Sequence, residues 1–155
     1  MATPNFPLLS IILYWILAIW PHGHAVVLAS KGNLSRHDNR NPKASSYTES
    51  VKKRLGAKEF AAWERAESCH RNHLENMPLF CAAIFAGLLA ERQIGASSRG
   101  LNEFAGGWLV IRVLYTINYL RTDTLKGSYI RSVLWYIGSF WAIYVIGAAA
   151  FALGT

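Results

Sequence analysis

Two long stretches without a charged side chain dominate this sequence. Residues 1–30 and residues 132–155 contain no Asp, Glu, Lys or Arg, and each exceeds the roughly 20 residues that cross a bilayer as a helix. Residues 77–90 and 104–120 are shorter apolar runs that become spans if a polar stripe on each faces protein rather than lipid. The sequence therefore predicts an all-α, integral membrane four-helix bundle. It forms a single transmembrane domain over residues 1–155, with helices at about 8–28, 58–91, 101–121 and 128–151.

Basic residues are concentrated in the predicted loops and produce the net charge of +7. Ten Lys and Arg residues lie in residues 31–71, and three lie in residues 121–131. Because loops rich in Lys and Arg stay in the cytosol, we expect the loop of about residues 30–57 and the 121–131 connection to be cytosolic. Nucleic-acid binding would also account for a pI near 9.7, but topology explains the basic loops more simply. No nucleic-acid partner is expected.

The cysteines and histidines do not form a recognisable metal site. Cys69 and Cys81 lie 12 positions apart on one predicted helix, which is too far for a disulfide bond. His22 and His24 have no further ligand nearby in the sequence. We therefore expect free thiols and no bound metal.

Polar side chains form a stripe along the second predicted helix. Helical periodicity places the following residues in one sector: Arg65, Ser68, Asn72, Glu75, Asn76 and Leu79. Charged and amide groups at bilayer depth cost roughly 2.5–3.5 kcal/mol each, so they are kept where they face a bundle interior and have partners. The stripe therefore predicts a functional site. His70 and His73 lie off the stripe, and we assign them to packing or to contacts between subunits.

A second stripe runs along the third predicted helix, where Trp108, Arg112, Tyr115 and Tyr119 share one face. An unpaired Arg at this depth is unfavourable, so we expect Arg112 to face Glu75 or an anionic ligand. A buried ion pair that only holds the bundle together would explain a single such contact. The two stripes together offer carboxylate, amide, guanidinium and phenol groups, a set that suits a zwitterionic, multiply charged ligand.

Three segments carry a resemblance to a known family. They are Glu64–Ala66 with Asn72 and Glu75, then Arg112–Leu120, then Ile130–Ser132. In these segments the chain resembles the membrane-associated proteins in eicosanoid and glutathione metabolism, the MAPEG family. The resemblance implies a homotrimer of four-helix subunits in the endoplasmic reticulum membrane, with active sites between neighbouring subunits. It also implies a glutathione site facing the cytosol and a lipophilic co-substrate that enters from the membrane lipid.

The same resemblance implies roles for individual residues. The residues at positions where family members contact glutathione are Asn72, Glu75, Arg112 and Tyr119. Arg36 aligns more loosely with an arginine in the first loop of family members. Those matching catalytic positions are Arg131, Tyr115 and Ser132. Arg131 is implied to stabilise the glutathione thiolate, because a guanidinium beside the sulfur favours the ionised, nucleophilic form.

The resulting hypothesis is a membrane glutathione-dependent transferase or isomerase that acts on a lipophilic electrophile. The sequence departs from the family pattern at Ser68, where many glutathione-using members have arginine, and at Tyr115, where the prostaglandin E synthase branch has histidine. Two alternatives therefore stay open. One is a glutathione-independent isomerase or cyclase of a hydrophobic specialised-metabolism intermediate in the same pocket. The other is a non-catalytic membrane protein that binds lipid or a regulator.

Overall fold

The structure is a computed structural model that describes residues 4–95 and 99–154, with every side chain in these ranges except those of Arg36 and Arg99. Within these ranges all regular secondary structure is helical. The helices are α1 (Phe6–Ala29), α2 (Ser45–Arg54), α3 (Ala57–Ile94), α4 (Arg99–Arg121) and α5 (Leu125–Leu153), with a 3₁₀ turn at Leu34–Arg36.

Local hydrogen bonds fix where the long helices begin and end. The Asn5 side chain accepts from the Leu8 N–H at 2.9 Å at the start of α1, and Thr124 Oγ1 accepts from the Gly127 N–H at 3.3 Å at the start of α5. Each satisfies a backbone donor that has no partner inside its helix. Gly95 ends α3 in a left-handed conformation, φ 64°, which glycine adopts without steric cost.

The first loop contains a helix that the sequence analysis did not assign. Residues 30–57 were expected to form a loop, but the structure has the 3₁₀ turn and the 10-residue helix α2 there. Tyr47 and Val51, one turn apart, are buried in a cluster with Ala29 and Trp63 at the end of the bundle. These are the only apolar residues of α2, so its hydrophobic periodicity is too sparse to stand out in the sequence.

The long helices α1, α3, α4 and α5 pack side by side, and α3 contacts the other three. Their shared core is aromatic. The Trp108 ring of α4 stacks on Phe80 of α3 with centroids 4.9 Å apart, and it meets Tyr14 of α1 edge-on at 5.7 Å. Successive long helices alternate in direction. The start of α3, the end of α4 and the start of α5 therefore lie at the same end of the bundle as the first loop.

Among the described residues, three helices are long and apolar enough to cross a membrane by length and composition: α1, α3 and α5. Helix α4 covers the remaining expected span but does not meet this criterion among the described residues, because Arg112 and other polar residues interrupt its apolar run. Large apolar side chains on α1 and α5 face outward, as shown by Ile16 at 60% exposure and Phe151 at 85%. Such faces suit a lipid environment.

Candidate active site

A polar cleft of about 320 Å³ opens among α3, α4 and α5, towards the end of the bundle that carries the basic loops. Its lining consists of Asn72, Tyr115, Tyr119, Ser128, Arg131, Ser132, Trp135 and Tyr136. Five residues that the sequence analysis assigned to the site are in this lining: Asn72, Tyr115, Tyr119, Arg131 and Ser132. The fold therefore brings together groups from three separate segments of the sequence.

Arg131 is the cation of the cleft lining, and an aromatic ring holds it. Its guanidinium carbon lies 4.1 Å from the centre of the Tyr119 ring, within the range of a cation–π interaction. The Tyr119 ring in turn meets the Tyr115 ring at 5.5 Å and 60°. This arrangement leaves a guanidinium and two phenol groups on one side of the cleft, with the exposed Ser132 nearby.

Arg112 lies behind the lining rather than in it. It is 1% exposed, and its guanidinium carbon is 4.7 Å from the Trp108 ring centre and 5.4 Å from that of Tyr115. Its Nη1 donates to Asn72 Oδ1 at 3.0 Å, whereas its Nε and Nη2 find no hydrogen-bond acceptor among the described residues. Arg112 therefore orients the Asn72 amide, which does line the cleft.

Glu75 does not line the cleft. It is exposed on α3, and no ion pair found among the described residues involves it. The expected contact between Arg112 and Glu75 is not present within the described part of the chain, because Asn72, almost one turn earlier, accepts the Arg112 hydrogen bond instead. Arg36 belongs to the 3₁₀ turn, and its side chain lies outside the described part of the chain.

Three lining residues were absent from the sequence-based site: Ser128, Trp135 and Tyr136. A signal for them exists in the sequence. They follow one another on α5 at spacings of seven and one, and with Ser132 they form one helical face. That face could have been found by applying helical periodicity to α5 in both directions from Arg131 and Ser132.

A second polar cavity, of about 550 Å³, lies between α1, the first loop and α3. His22 and Glu67 meet inside it, with Nδ1 and Oε1 2.9 Å apart. Ser68 also faces this cavity, where its Oγ accepts from Arg71 Nη2 at 3.1 Å. The position that departs from the arginine of many glutathione-using relatives therefore lies outside the cleft lining in this chain.

The first loop carries a bidentate ion pair outside the membrane-spanning helices. Arg40 donates to Asp38 through Nε at 3.0 Å and Nη2 at 2.9 Å. These hydrogen bonds lower the pKa of Asp38 to about 2. In the same loop the Tyr47 hydroxyl lies 3.1 Å from His37 Nδ1, and burial raises the pKa of Tyr47.

The family model described as MAPEG family matches residues 6–151. The chain belongs to the MAPEG family. The match runs from the start of α1 into the last turns of α5, so it includes the whole cleft and confirms the resemblance. Comparisons with curated proteins and with solved structures gave no match.

Membership places the chain in a family of membrane proteins that includes glutathione transferases and isomerases. MAPEG proteins generally use glutathione as a substrate or cofactor. The family and the three apolar helices together identify this chain as an integral membrane protein.

Proposed function

We propose that this MAPEG protein is a glutathione-dependent transferase or isomerase that acts on a lipophilic electrophile. The observation that carries the proposal is the cleft shared by Asn72, Tyr119 and Arg131. A guanidinium and phenol hydroxyls can donate hydrogen bonds to carboxylates, and an amide can bind peptide groups in both directions. Glutathione offers both kinds of partner, and the family's general use of it supports the assignment.

Arg131 is the residue assigned to the sulfur. A free thiol has a pKa of about 8.5 and is mostly protonated near neutral pH, so a guanidinium beside the bound thiol increases the fraction of nucleophilic thiolate. In a transfer reaction the thiol releases its proton to water, and the sulfur electron pair forms the bond to the electrophilic carbon. The electron pair of the bond that breaks at that carbon passes to the leaving group or, in an addition, to the electronegative atom of the electrophile. Tyr115 and Ser132 line the same cleft, and their hydroxyls are assigned to donate hydrogen bonds to the negative charge that develops on the electrophile.

The lipophilic partner is assigned to the α5 side of the cleft. Trp135 and Tyr136 line the cleft there, and Tyr136 stacks on Phe140 with centroids 5.9 Å apart. Phe140 is 64% exposed on the outer face of α5. An apolar molecule in the bilayer can therefore approach along this aromatic face and reach the polar groups without crossing water.

The complete site is proposed to form between subunits. Glu75 is an exposed carboxylate on α3, although an unpaired carboxylate on a membrane-spanning helix is costly. Assembly as a homotrimer in the endoplasmic reticulum membrane, with α4 as a fourth span, would enclose Glu75 and let it bind the glutathione ammonium. MAPEG members often form trimers. Arg36 of the first loop is assigned to the same ligand.

Calorimetric titration of the detergent-solubilised protein with glutathione tests the proposal. We expect binding that is weakened in Glu75→Gln and Arg112→Ala variants. Glu49→Gln provides the matched control, because Glu49 is an exposed carboxylate on α2 and does not line the cleft. The absence of wild-type binding at millimolar glutathione would overturn the proposal.

One observation favours a second candidate, a glutathione-independent isomerase or cyclase of a hydrophobic intermediate. The described lining of the cleft contains no carboxylate, so a single chain offers the glutathione ammonium no anionic partner there. Tyr115 and Arg131 could instead polarise a lipophilic substrate directly. Turnover without added thiol would favour this candidate over the first.

A further inference from the structure

His73 is wholly buried between α1 and α4, on the side of α3 that faces the interior. Its Nε2 lies 2.8 Å from Thr116 Oγ1, and its Nδ1 lies 3.4 Å from the Tyr14 hydroxyl. The Tyr14 hydroxyl also donates to the His73 carbonyl oxygen at 3.1 Å. One imidazole therefore connects α1, α3 and α4.

The hydrogen-bonding groups determine where the His73 proton lies. Thr116 Oγ1 donates its single proton to the Arg112 carbonyl oxygen at 2.8 Å, so towards His73 it acts as an acceptor. We therefore assign His73 as the donor from Nε2. The Tyr14 proton is directed to the His73 carbonyl, and the bare Nδ1 faces the same hydroxyl. This assignment of the tautomer follows from the partners of each atom.

The His73–Thr116 hydrogen bond lies directly beside the groups of the cleft. His73 follows Asn72 on α3, and Thr116 follows Tyr115 on α4. This bond and the one between Arg112 and Asn72 both join α3 to α4, and on each helix their residues lie within about one turn of each other. The His73 ring also contacts the Tyr115 ring edge-on, with centroids 5.8 Å apart.

We propose that His73 is a positioning residue for the polar ligand of the cleft. Together with Thr116 it fixes the register of α3 against α4 at which Asn72 and Tyr115 both face the cleft. His73 itself does not line the cleft. The proposal rests on the function proposed above, because the affinity for glutathione is the quantity that would change if Asn72 and Tyr115 were displaced.

A packing role and a positioning role make different predictions for two substitutions. Leucine fills much of the space of the imidazole but cannot donate to Thr116. Glutamine has a side-chain amide that can donate from a place close to that of Nε2. If His73 only fills space, leucine should serve at least as well as glutamine. If it positions the cleft through its hydrogen bond, only glutamine should preserve ligand affinity.

The experiment compares His73→Leu, His73→Gln and Thr116→Val in the full-length protein. Glutathione affinity is measured by calorimetry, and KM is measured for glutathione and for a chlorodinitrobenzene as the lipophilic electrophile. We expect His73→Leu to weaken glutathione binding about tenfold, which corresponds to about 1.4 kcal/mol, with KM for the electrophile changed less than about twofold. His73→Gln should restore most of the affinity.

Thr116→Val should match His73→Leu, and the double variant should be no weaker than either single variant. Both substitutions remove the same hydrogen bond, so their effects should not add. Ile84→Val is the control, since Ile84 is buried on α3 but belongs to the apolar core. It should lower the unfolding temperature slightly and leave glutathione affinity unchanged.

Wild-type affinity in His73→Leu, or full additivity in the double variant, would overturn the proposal. If His73→Leu does not fold, Thr116→Val carries the same comparison. Nitrogen NMR of histidine-labelled wild-type protein gives a readout independent of glutathione, and a His73 proton on Nδ1 would also overturn the proposal. A failure of the proposed function would instead appear in the wild-type titration, before any variant is compared.

Discussion

The guanidinium of Arg131 stacks over the ring of Tyr119, with its central carbon 4.1 Å from the ring centre. This contact joins the start of α5 to the end of α4 across the cleft. A planar guanidinium can stack on an aromatic face and still direct its N–H groups sideways, which a lysine ammonium cannot do in the same way. The stacking therefore holds a cation at the wall of the cleft and leaves its donors available to a ligand.

Arg131→Ala should slow the reaction and shift ionisation of the bound thiol to higher pH. Loss of one charge-stabilising donor costs on the order of 10²-fold in kcat. Arg131→Lys should show a smaller shift, because it keeps the charge but loses the planar stacking. Ultraviolet absorbance of the glutathione thiolate, followed as pH is raised, measures the shift. Unchanged turnover in Arg131→Ala would remove Arg131 from the role of thiolate partner.

Arg112→Met should weaken glutathione binding without lowering the stability of the protein. Two nitrogens of the buried guanidinium have no acceptor among the described residues, so an apolar side chain of similar length would remove a buried charge that is costly to keep away from water. The Asn72 side-chain oxygen would lose its shorter hydrogen bond, from Arg112, and keep the 3.4 Å one from Asn76 Nδ2. We expect an equal or higher unfolding temperature in detergent and about tenfold weaker glutathione binding. A clearly lower unfolding temperature would show that Arg112 serves mainly to hold the bundle together.

Glu75→Gln should change ligand affinity without changing the stability of the subunit. Glu75 is exposed on α3, and surface substitutions of this kind usually alter the free energy of unfolding by less than about 0.5 kcal/mol. Loss of the carboxylate should weaken glutathione binding about tenfold, since charge-assisted hydrogen bonds are worth about 1.5–3 kcal/mol. Calorimetry of the variant and of Glu49→Gln makes the comparison. Equal affinities would exclude Glu75 from the ligand site.

Helical periodicity predicted three of the residues that line the cleft, Asn72, Tyr115 and Tyr119, because it fixes which residues share a face. Arg131 and Ser132 were implied by the family resemblance instead. Tyr115 and Tyr119 are one turn apart on α4, so both reach the cleft. Periodicity could not separate Asn72 from Glu75. These two residues differ by only about 60° around the helix axis, yet one lies at the cleft and the other faces outward. Which part of α3 lines the cleft depends on where α4 and α5 pack against it. The sequence of α3 alone does not determine that packing.

Other features of the fold depend on contacts between distant segments. Helix α2 is stabilised where Tyr47 and Val51 meet Trp63 of α3, and no local pattern in its polar sequence indicates that contact. The sequence predicts packing or subunit contacts for His73, because this residue lies off the polar stripe. The structure confirms its burial and adds the hydrogen bond to Thr116, a pairing between residues 43 positions apart.

The ion pair between Asp38 and Arg40 should lower the pKa of Asp38, which can be measured because both residues lie in the first loop. The pKa of Asp38 is lowered to about 2, compared with about 3.9 for an unperturbed Asp. Any stabilisation of the folded state by the pair is therefore fully present above the unperturbed pKa of about 3.9. It is lost as the pH falls through the folded-state pKa of about 2. Carbon NMR of labelled aspartate should show Asp38 ionised at pH values near 3, and Arg40→Gln should return it to ordinary titration. Identical titration curves would show that the pair does not persist in solution.

Gly107→Ala should destabilise the contact between α4 and α5, the two helices that supply most of the cleft lining. A Cβ at this position would overlap the ring of Trp141 on α5, and overpacking a filled core typically costs about 1–3 kcal/mol. Gly147→Ala is the matched control, because nothing lies within 4 Å of a Cβ placed there and alanine is favoured over glycine inside a helix by about 0.5–1 kcal/mol. Thermal unfolding in detergent should therefore show a lower midpoint for Gly107→Ala and an equal or higher one for Gly147→Ala. Equal midpoints for wild type and Gly107→Ala would mean that α4 and α5 are not packed this closely, and the cleft between them would then have a different shape.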